Sequence, residues 1–213
     1  MLLTDLTKYI KCSKIYHFHN KKLNFKYIYT NSKNIIPKSI FVIKDYKEKY
    51  LKEAILKGAI AIITQKYISS AKIPQFIVNN IDESIFLVLN KIRPFKPKKS
   101  LAITGTNGKT SVAWYVSNIC FNNKIPNKMY GTLGYYINCK KKISSILTTP
   151  QYETLHQTAY SNKKNMYYYI FEASSHSLDQ DRIKSFPVNL AAITNISQDH
   201  LDYHRNFREY KKA

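Results

Sequence analysis

Residues 100–120 constrain this 213-residue chain most, because an apolar run there passes through two glycines into helical periodicity. Ser100-Leu101-Ala102-Ile103-Thr104 reads as a strand, and Val112, Ala113, Val116, Ile119 and Cys120 recur at the spacing of a helix's apolar face. Between them lies Thr104-Gly105-Thr106-Asn107-Gly108-Lys109-Thr110-Ser111. Two glycines let the backbone curl until successive N–H groups converge on an anion, and a helix beginning near Lys109 adds its positive end. Phosphate is the natural occupant. Lys109 can reach β- and γ-phosphates, and the Thr110 hydroxyl can ligate a magnesium ion bridging them. The stretch departs from the strict phosphate-loop pattern in one place, Ile103, which stands where the first glycine would be. A nucleoside triphosphate site is the strongest local inference.

The rest of the chain fits an α/β fold around that unit. Ser39–Ile43, Ala59–Thr64 and Gln75–Val78 read as short β-branched strands. Helices are expected at about 47–57, stopped by Gly58, and at about 82–92. Arg93-Pro94-Phe95-Lys96-Pro97-Lys98-Lys99 carries two prolines and four charges, which suits a connector. The expected organisation is a small N-terminal α/β domain over 1–95, a linker over 96–99, and an incomplete phosphate-loop-type central domain over 100–213. Further strands are expected at Met129–Tyr135, Tyr167–Phe171 and Asn189–Thr194, and a helix after Thr149-Pro150, with Thr149 as a cap. Strands separated by helices imply a mostly parallel sheet with right-handed crossovers. The tyrosine runs are expected in the core.

Composition excludes several classes. With 44% apolar and 22% charged residues the chain is neither disordered nor collagenous. No apolar run approaches the roughly 18 residues of a membrane span, and the start lacks a signal peptide's pattern, so a cytoplasmic location without membrane insertion is expected. Cys12, Cys120 and Cys139 form no CxxC pair, which indicates neither a disulfide framework nor structural zinc. The net charge of +21 would suit a phosphate-rich partner. Against that, only four of 34 basic residues are arginine and the lysines are scattered, so no nucleic-acid partner is expected.

In open parallel sheets, ligands sit beyond the carboxyl ends of the strands. Three such exits carry polar residues: Glu172 through His176, Thr194 through His200, and Leu147-Thr148-Thr149-Pro150. Glu172 and His200 are the right donor types to hold a second metal ion. The alternative is that Glu172 caps a helix and residues 199–204 form a solvated loop. Ser174, Ser175 and His176 lack the glycine elbow of a serine nucleophile.

The strings TGTNGKTS, LTTP, EASSHSLDQDRI and TNISQDHLDYH, in that order over about 115 residues, resemble the Mur ligases, and among them the MurE type. The resemblance implies an ATP- and Mg²⁺-dependent amide ligase of peptidoglycan precursor synthesis. Its reaction phosphorylates the terminal carboxylate of UDP-N-acetylmuramoyl-L-alanyl-D-glutamate. The amine of a third residue, meso-diaminopimelate or L-lysine, then attacks the acyl phosphate. On this resemblance Lys109, Glu172 and His200 are catalytic; Gly105, Thr106, Asn107, Gly108, Lys109, Thr110 and Ser111 bind ATP. Thr110, Glu172 and His200 hold metal, and Thr148, Thr149, Ser174, Gln180 and Arg182 face the muramyl-peptide.

Residues 1–95 are similar to the family's N-terminal domain, which holds the uridine diphosphate end of the substrate. Asn31-Ser32-Lys33 stands where Asp-Ser-Arg is usual, and Ser32 is the residue carried over. The family's carbamylated lysine would fall just after Ala213, and the C-terminal domain that selects the incoming amino acid lies outside the matched strings. The chain is therefore expected to be a fragment without ligase turnover alone, with an exposed sheet edge, and monomeric in full-length form. Two rivals are a folylpolyglutamate synthase or cyanophycin synthetase type of ligase, and a basic nucleic-acid-binding module.

Overall fold

Short runs of Ile, Val, Ala and Phe, apolar on both faces, form the inner strands of two sheets, as parallel pairing under helices requires. The computed structural model describes residues 1–19, 22–145, 147–162, 164, 166–183 and 185–213. The chain divides into two units, Met1–Pro94 and Phe95–Ala213.

The first unit holds β1 (Cys12–Tyr16), β2 (Tyr27–Tyr29), β3 (Ser39–Val42), α1 (Glu48–Leu56), β4 (Ala59–Thr64), β5 (Gln75–Val78) and α2 (Ile81–Ile92). Its sheet runs β1-β5-β4-β3-β2, parallel except for β1, which pairs antiparallel with β5. Leu51 and Ala54 of α1 pack on Phe41, Ile43 and Ile62. α2 starts where the Asn80 side chain accepts from the Glu83 N–H, with Asp82 and Glu83 in the favourable first turn. The sequence reading begins at β3 and misses β1 and β2. β1 is an exposed edge and β2 has three residues, so neither carries a long apolar signature.

The second unit holds β6 (Lys99–Thr104), α3 (Lys109–Asn122), β7 (Asn127–Gly131), β8 (Gly134–Ile137), β9 (Lys140–Ile143), α4 (Tyr152–Ala159), β10 (Tyr168–Glu172), α5 (Ser175–Asp179), β11 (Leu190–Ile193), α6 (Leu201–His204) and α7 (Phe207–Lys212). The sheet order is β11-β6-β10-β7-β8-β9. The first four strands are parallel, and β7-β8-β9 is an antiparallel meander. Alternation along β10 sorts the core. Tyr169 and Phe171 join Tyr130, Leu155 and Phe186 on one face, while Ile170 joins Ile103, Ala113 and Met129 on the other.

Three expectations are corrected here. The single strand expected at Met129–Tyr135 is a hairpin, turned at Thr132-Leu133 and closed by the Gly131–Gly134 pair; its two-residue loop is hidden in an apolar run. Ile119 lies 61% exposed, and the buried stripe of α3 is Ala113, Ser117 and Cys120. Small residues there let the helix approach the sheet. Thr149 does not cap α4, whose preceding residue is Gln151 with no side-chain cap bond. At the free side of β11, Leu190 and Ile193 are 61% and 63% exposed. The opposite edge, β9, carries exposed Lys140, Lys141 and Lys142, which discourage pairing with another strand.

Candidate active site

The glycine loop is built by two neighbouring strand exits. β6 ends at Thr104 and β11 at Ile193, side by side in parallel register. Gly105 turns the chain at φ +128°, and a Cβ there would lie 2.2 Å from Thr194 Oγ1 and 2.8 Å from the Asn195 carbonyl. Only glycine fits that turn. Asn195 then brackets the loop: its Oδ1 accepts from the Asn107 N–H at 3.0 Å and its Nδ2 donates to the Asn107 carbonyl at 2.9 Å. The Thr106 hydroxyl accepts from the Ser197 N–H at 2.9 Å and lies 2.9 Å from the Tyr210 hydroxyl on α7. Gly108, left-handed at φ +84°, precedes the first residue of α3.

Lys109 rises from that first turn, and its ammonium donates to the carbonyls of Gly105 at 2.6 Å and Thr106 at 2.8 Å. Thr110, one residue on, donates to Glu172 Oε2 at 2.8 Å. Glu172 is the last residue of β10 and only 1% exposed. Its carboxylate also accepts from the Thr132 N–H at 2.8 Å and the Thr132 hydroxyl at 3.1 Å. It caps no helix; Ser174 caps α5, accepting from the Ser177 N–H. Ser111 lies exposed in the first turn of α3.

The backbone of the same Glu172 begins a second cluster. Fully buried Thr149 donates to the Glu172 carbonyl at 2.7 Å and accepts from the Ser174 N–H at 2.9 Å. Arg182 donates to the Thr149 carbonyl at 2.8 Å and through Nε to Gln180 Oε1 at 2.8 Å. Thr148 Oγ1 lies 3.1 Å from Thr132 Oγ1. Thus Thr148, Thr149, Ser174, Gln180 and Arg182 form one group, with Glu172 shared between it and the glycine loop.

His200 is not hydrogen-bonded to Glu172 among the described residues. Its Nε2 lies 3.6 Å from Asp199 and its ring 4.8 Å from the ring of His176. Residues 199–204, a solvated loop in the alternative reading, contain α6, with His204 buried and 2.9 Å from Ser175 Oγ. Ser175 is therefore engaged structurally. No group of three or more His, Cys, Asp and Glu able to hold a metal occurs among the described residues. Ser32, in the first unit, gives its hydroxyl to Glu53 at 2.6 Å. Sequence reasoning missed Thr132, Asn195 and Tyr210, each of which acts across a long stretch of chain.

Burial, followed by repulsion from His200, His204 and Arg182, holds the His176 imidazole below its ordinary pKa of 6.5, with Asp202 opposing. Between the lowered value and 6.5 the unfolded chain binds more protons than the folded one. The associated stability is fully present above that window and is lost as pH falls through it. Thermal unfolding should therefore come earlier at about pH 5.5 than at about pH 7.5. His176→Gln should shrink the difference; an equal drop in both proteins would locate the acid sensitivity elsewhere.

A strand, a glycine-turned loop and a helix, with an acid at the next parallel strand's exit, define an α/β domain of the phosphate-loop type. Residues 103–213 match the Mur ligase middle domain, and the chain belongs to the Mur ligase family. A relative from Rickettsia conorii, named UDP-N-acetylmuramoyl-L-alanyl-D-glutamate--2,6-diaminopimelate ligase, is 35% identical over 198 residues, 89% of this chain and 41% of the relative. A solved structure of a ligase of that name has a TM-score of 0.64 at 21% identity, covering 100% of this chain and 43% of that one. MurF from Thermotoga maritima in complex with ADP gives 0.59 at 19%, covering 91% and 43%. These two structures share the fold. The chain spans about two-fifths of the length of such relatives. Among its described residues no helix is long and apolar enough to cross a membrane.

Proposed function

We propose that the chain carries the nucleotide and acceptor-carboxylate sides of a cytoplasmic, ATP-dependent amide ligase of peptidoglycan precursor synthesis. The acceptor would be UDP-N-acetylmuramoyl-L-alanyl-D-glutamate, and the amine diaminopimelate, as the name of the Rickettsia relative suggests. One observation carries this reading. Glu172 presents its side chain to Thr110 at 2.8 Å and its carbonyl to Thr149 at 2.7 Å, so one residue joins the phosphate loop to the Arg182 cluster. A reaction that passes a γ-phosphoryl group to a carboxylate needs those two sites adjoining.

In this reading residues 105–111 receive the triphosphate and the Lys109 ammonium exchanges its two carbonyl partners for phosphate oxygens. Mg²⁺ fits the donor set, since Thr110 and Glu172 offer hard oxygens. The two oxygens lie 2.8 Å apart, so both would reach one small cation once the proton between them moves aside. When bound, the ion would offset charge on the transferring phosphoryl group. His200 is assigned to a second ion on resemblance. Arg182, with its fork already directed at Gln180 and the Thr149 carbonyl, would hold an acceptor carboxylate or phosphate. Thr148, Thr149, Ser174 and Gln180 would orient it. The carboxylate attacks the γ-phosphorus, ADP leaves, and the incoming amine displaces phosphate from the acyl phosphate to give the amide.

Calorimetric titration of the chain with a non-hydrolysable ATP analogue, with and without Mg²⁺, tests the reading. Mg²⁺-strengthened binding is expected, together with a separate heat from the UDP-muramyl-dipeptide that weakens in Arg182→Ala. A chain whose nucleotide binding ignored Mg²⁺ would overturn it.

A further inference from the structure

We propose that Thr132, in the turn between β7 and β8, is the positioning residue that aims the Glu172 carboxylate at the cation. This rests on the reading above that Thr110 and Glu172 hold the ion. Thr132 reaches both carboxylate oxygens: its N–H donates to Oε1 at 2.8 Å and its hydroxyl to Oε2 at 3.1 Å. Two donors from one residue fix the plane of the carboxylate as well as its place. The preceding Gly131 clears the space, since a Cβ there would stand 1.9 Å from Glu172 Oε1.

The Thr132 hydroxyl has one proton and two acceptors, because Thr148 Oγ1 also lies 3.1 Å away. A cation that takes the place of the Thr110 proton on Oε2 leaves that oxygen's other lone pair to accept from Thr132, so the hydroxyl still holds the carboxylate when the ion is bound. The clamp therefore stays closed on the carboxylate when the ion is bound. Thr132 itself is exposed, so replacing it removes no core packing.

Thr132→Val keeps the shape and the N–H bond and deletes only the hydroxyl; Thr132→Ser restores the hydroxyl. The readout is the ratio of affinities for a non-hydrolysable ATP analogue with and without Mg²⁺. Loss of an outer partner of a metal ligand typically weakens the metal by about 10- to 100-fold, so that ratio should fall about ten-fold in Thr132→Val and stay within about two-fold of the native chain in Thr132→Ser. Should the valine variant fail to fold, Thr132→Ala is read for the same outcome. A ratio unchanged in the variant overturns the role of Thr132 while the cation reading stands. A native chain showing no Mg²⁺ response overturns the cation reading itself.

Discussion

Gly131→Ala should destabilise the second unit by about 3 kcal/mol, the combined scale of an overpacked buried site and broken hydrogen bonds to a charged group. The φ of Gly131 lies outside the left-handed range, so the conflict is with a neighbour. The new Cβ would fall 1.9 Å from Glu172 Oε1, 2.6 Å from its Cδ and 2.9 Å from its Cγ. The end of a glutamate usually swings aside at little cost. This one is 1% exposed and held by Thr110 and by both donors of Thr132, so moving it breaks three hydrogen bonds. Urea unfolding of Gly131→Ala, Glu172→Ala and the double variant checks the cause. Because removing the carboxylate removes the clash, the alanine at 131 should cost at least about 1 kcal/mol less in the Glu172→Ala background. Strict additivity would mean that the glycine serves something other than the carboxylate.

What was readable in advance follows the distance over which each feature is determined. β6, the glycine loop and α3 are local: an apolar run, two glycines and a Lys-Thr pair within about a dozen residues announce strand, turn and helix start. Glu172 was legible as a candidate because an acid ended an apolar strand. Its company was not, since the partners Thr110 and Thr132 are 62 and 40 residues away in sequence. Asn195 shows the same limit. It sits in a polar string after β11, and its bracket on Asn107 spans 88 residues and depends on β11 lying beside β6. The hairpin of β7 and β8 escapes a sequence reading for another reason: Gly131 and Gly134 sit inside a short run rich in apolar and aromatic residues that reads as one strand. On α3, periodicity favoured Ile119 where the fold buries Ser117, because close approach to the sheet rewards a small residue bonded to Asn127 over a bulky one. The two edge strands of the first unit had no apolar signal to read.

Lys109→Ala should weaken binding of the Mg²⁺–ATP analogue by about 100-fold, near 3 kcal/mol, the upper range for hydrogen bonds to charged groups. Two losses add. The ammonium is the one side-chain cation rising from the loop itself, and it also ties the loop together through the Gly105 and Thr106 carbonyls. Methionine, which keeps the stem and drops the charge, should fare about as badly as alanine. Arginine should recover part of the affinity, because it restores charge but brings a bulkier planar fork into a loop shaped around a compact ammonium. Thermal melts of the three variants without nucleotide measure the tying role separately, so a drop in affinity beyond any change in melting belongs to phosphate. The result also discriminates against the rival suggested by a charge of +21. Non-specific attraction of a polyanion by scattered lysines falls steeply with salt and is insensitive to one residue in 34. If nucleotide binding behaved that way and ignored Lys109, the glycine loop would be a turn without a phosphate, and the basic surface would be the chain's route to anions.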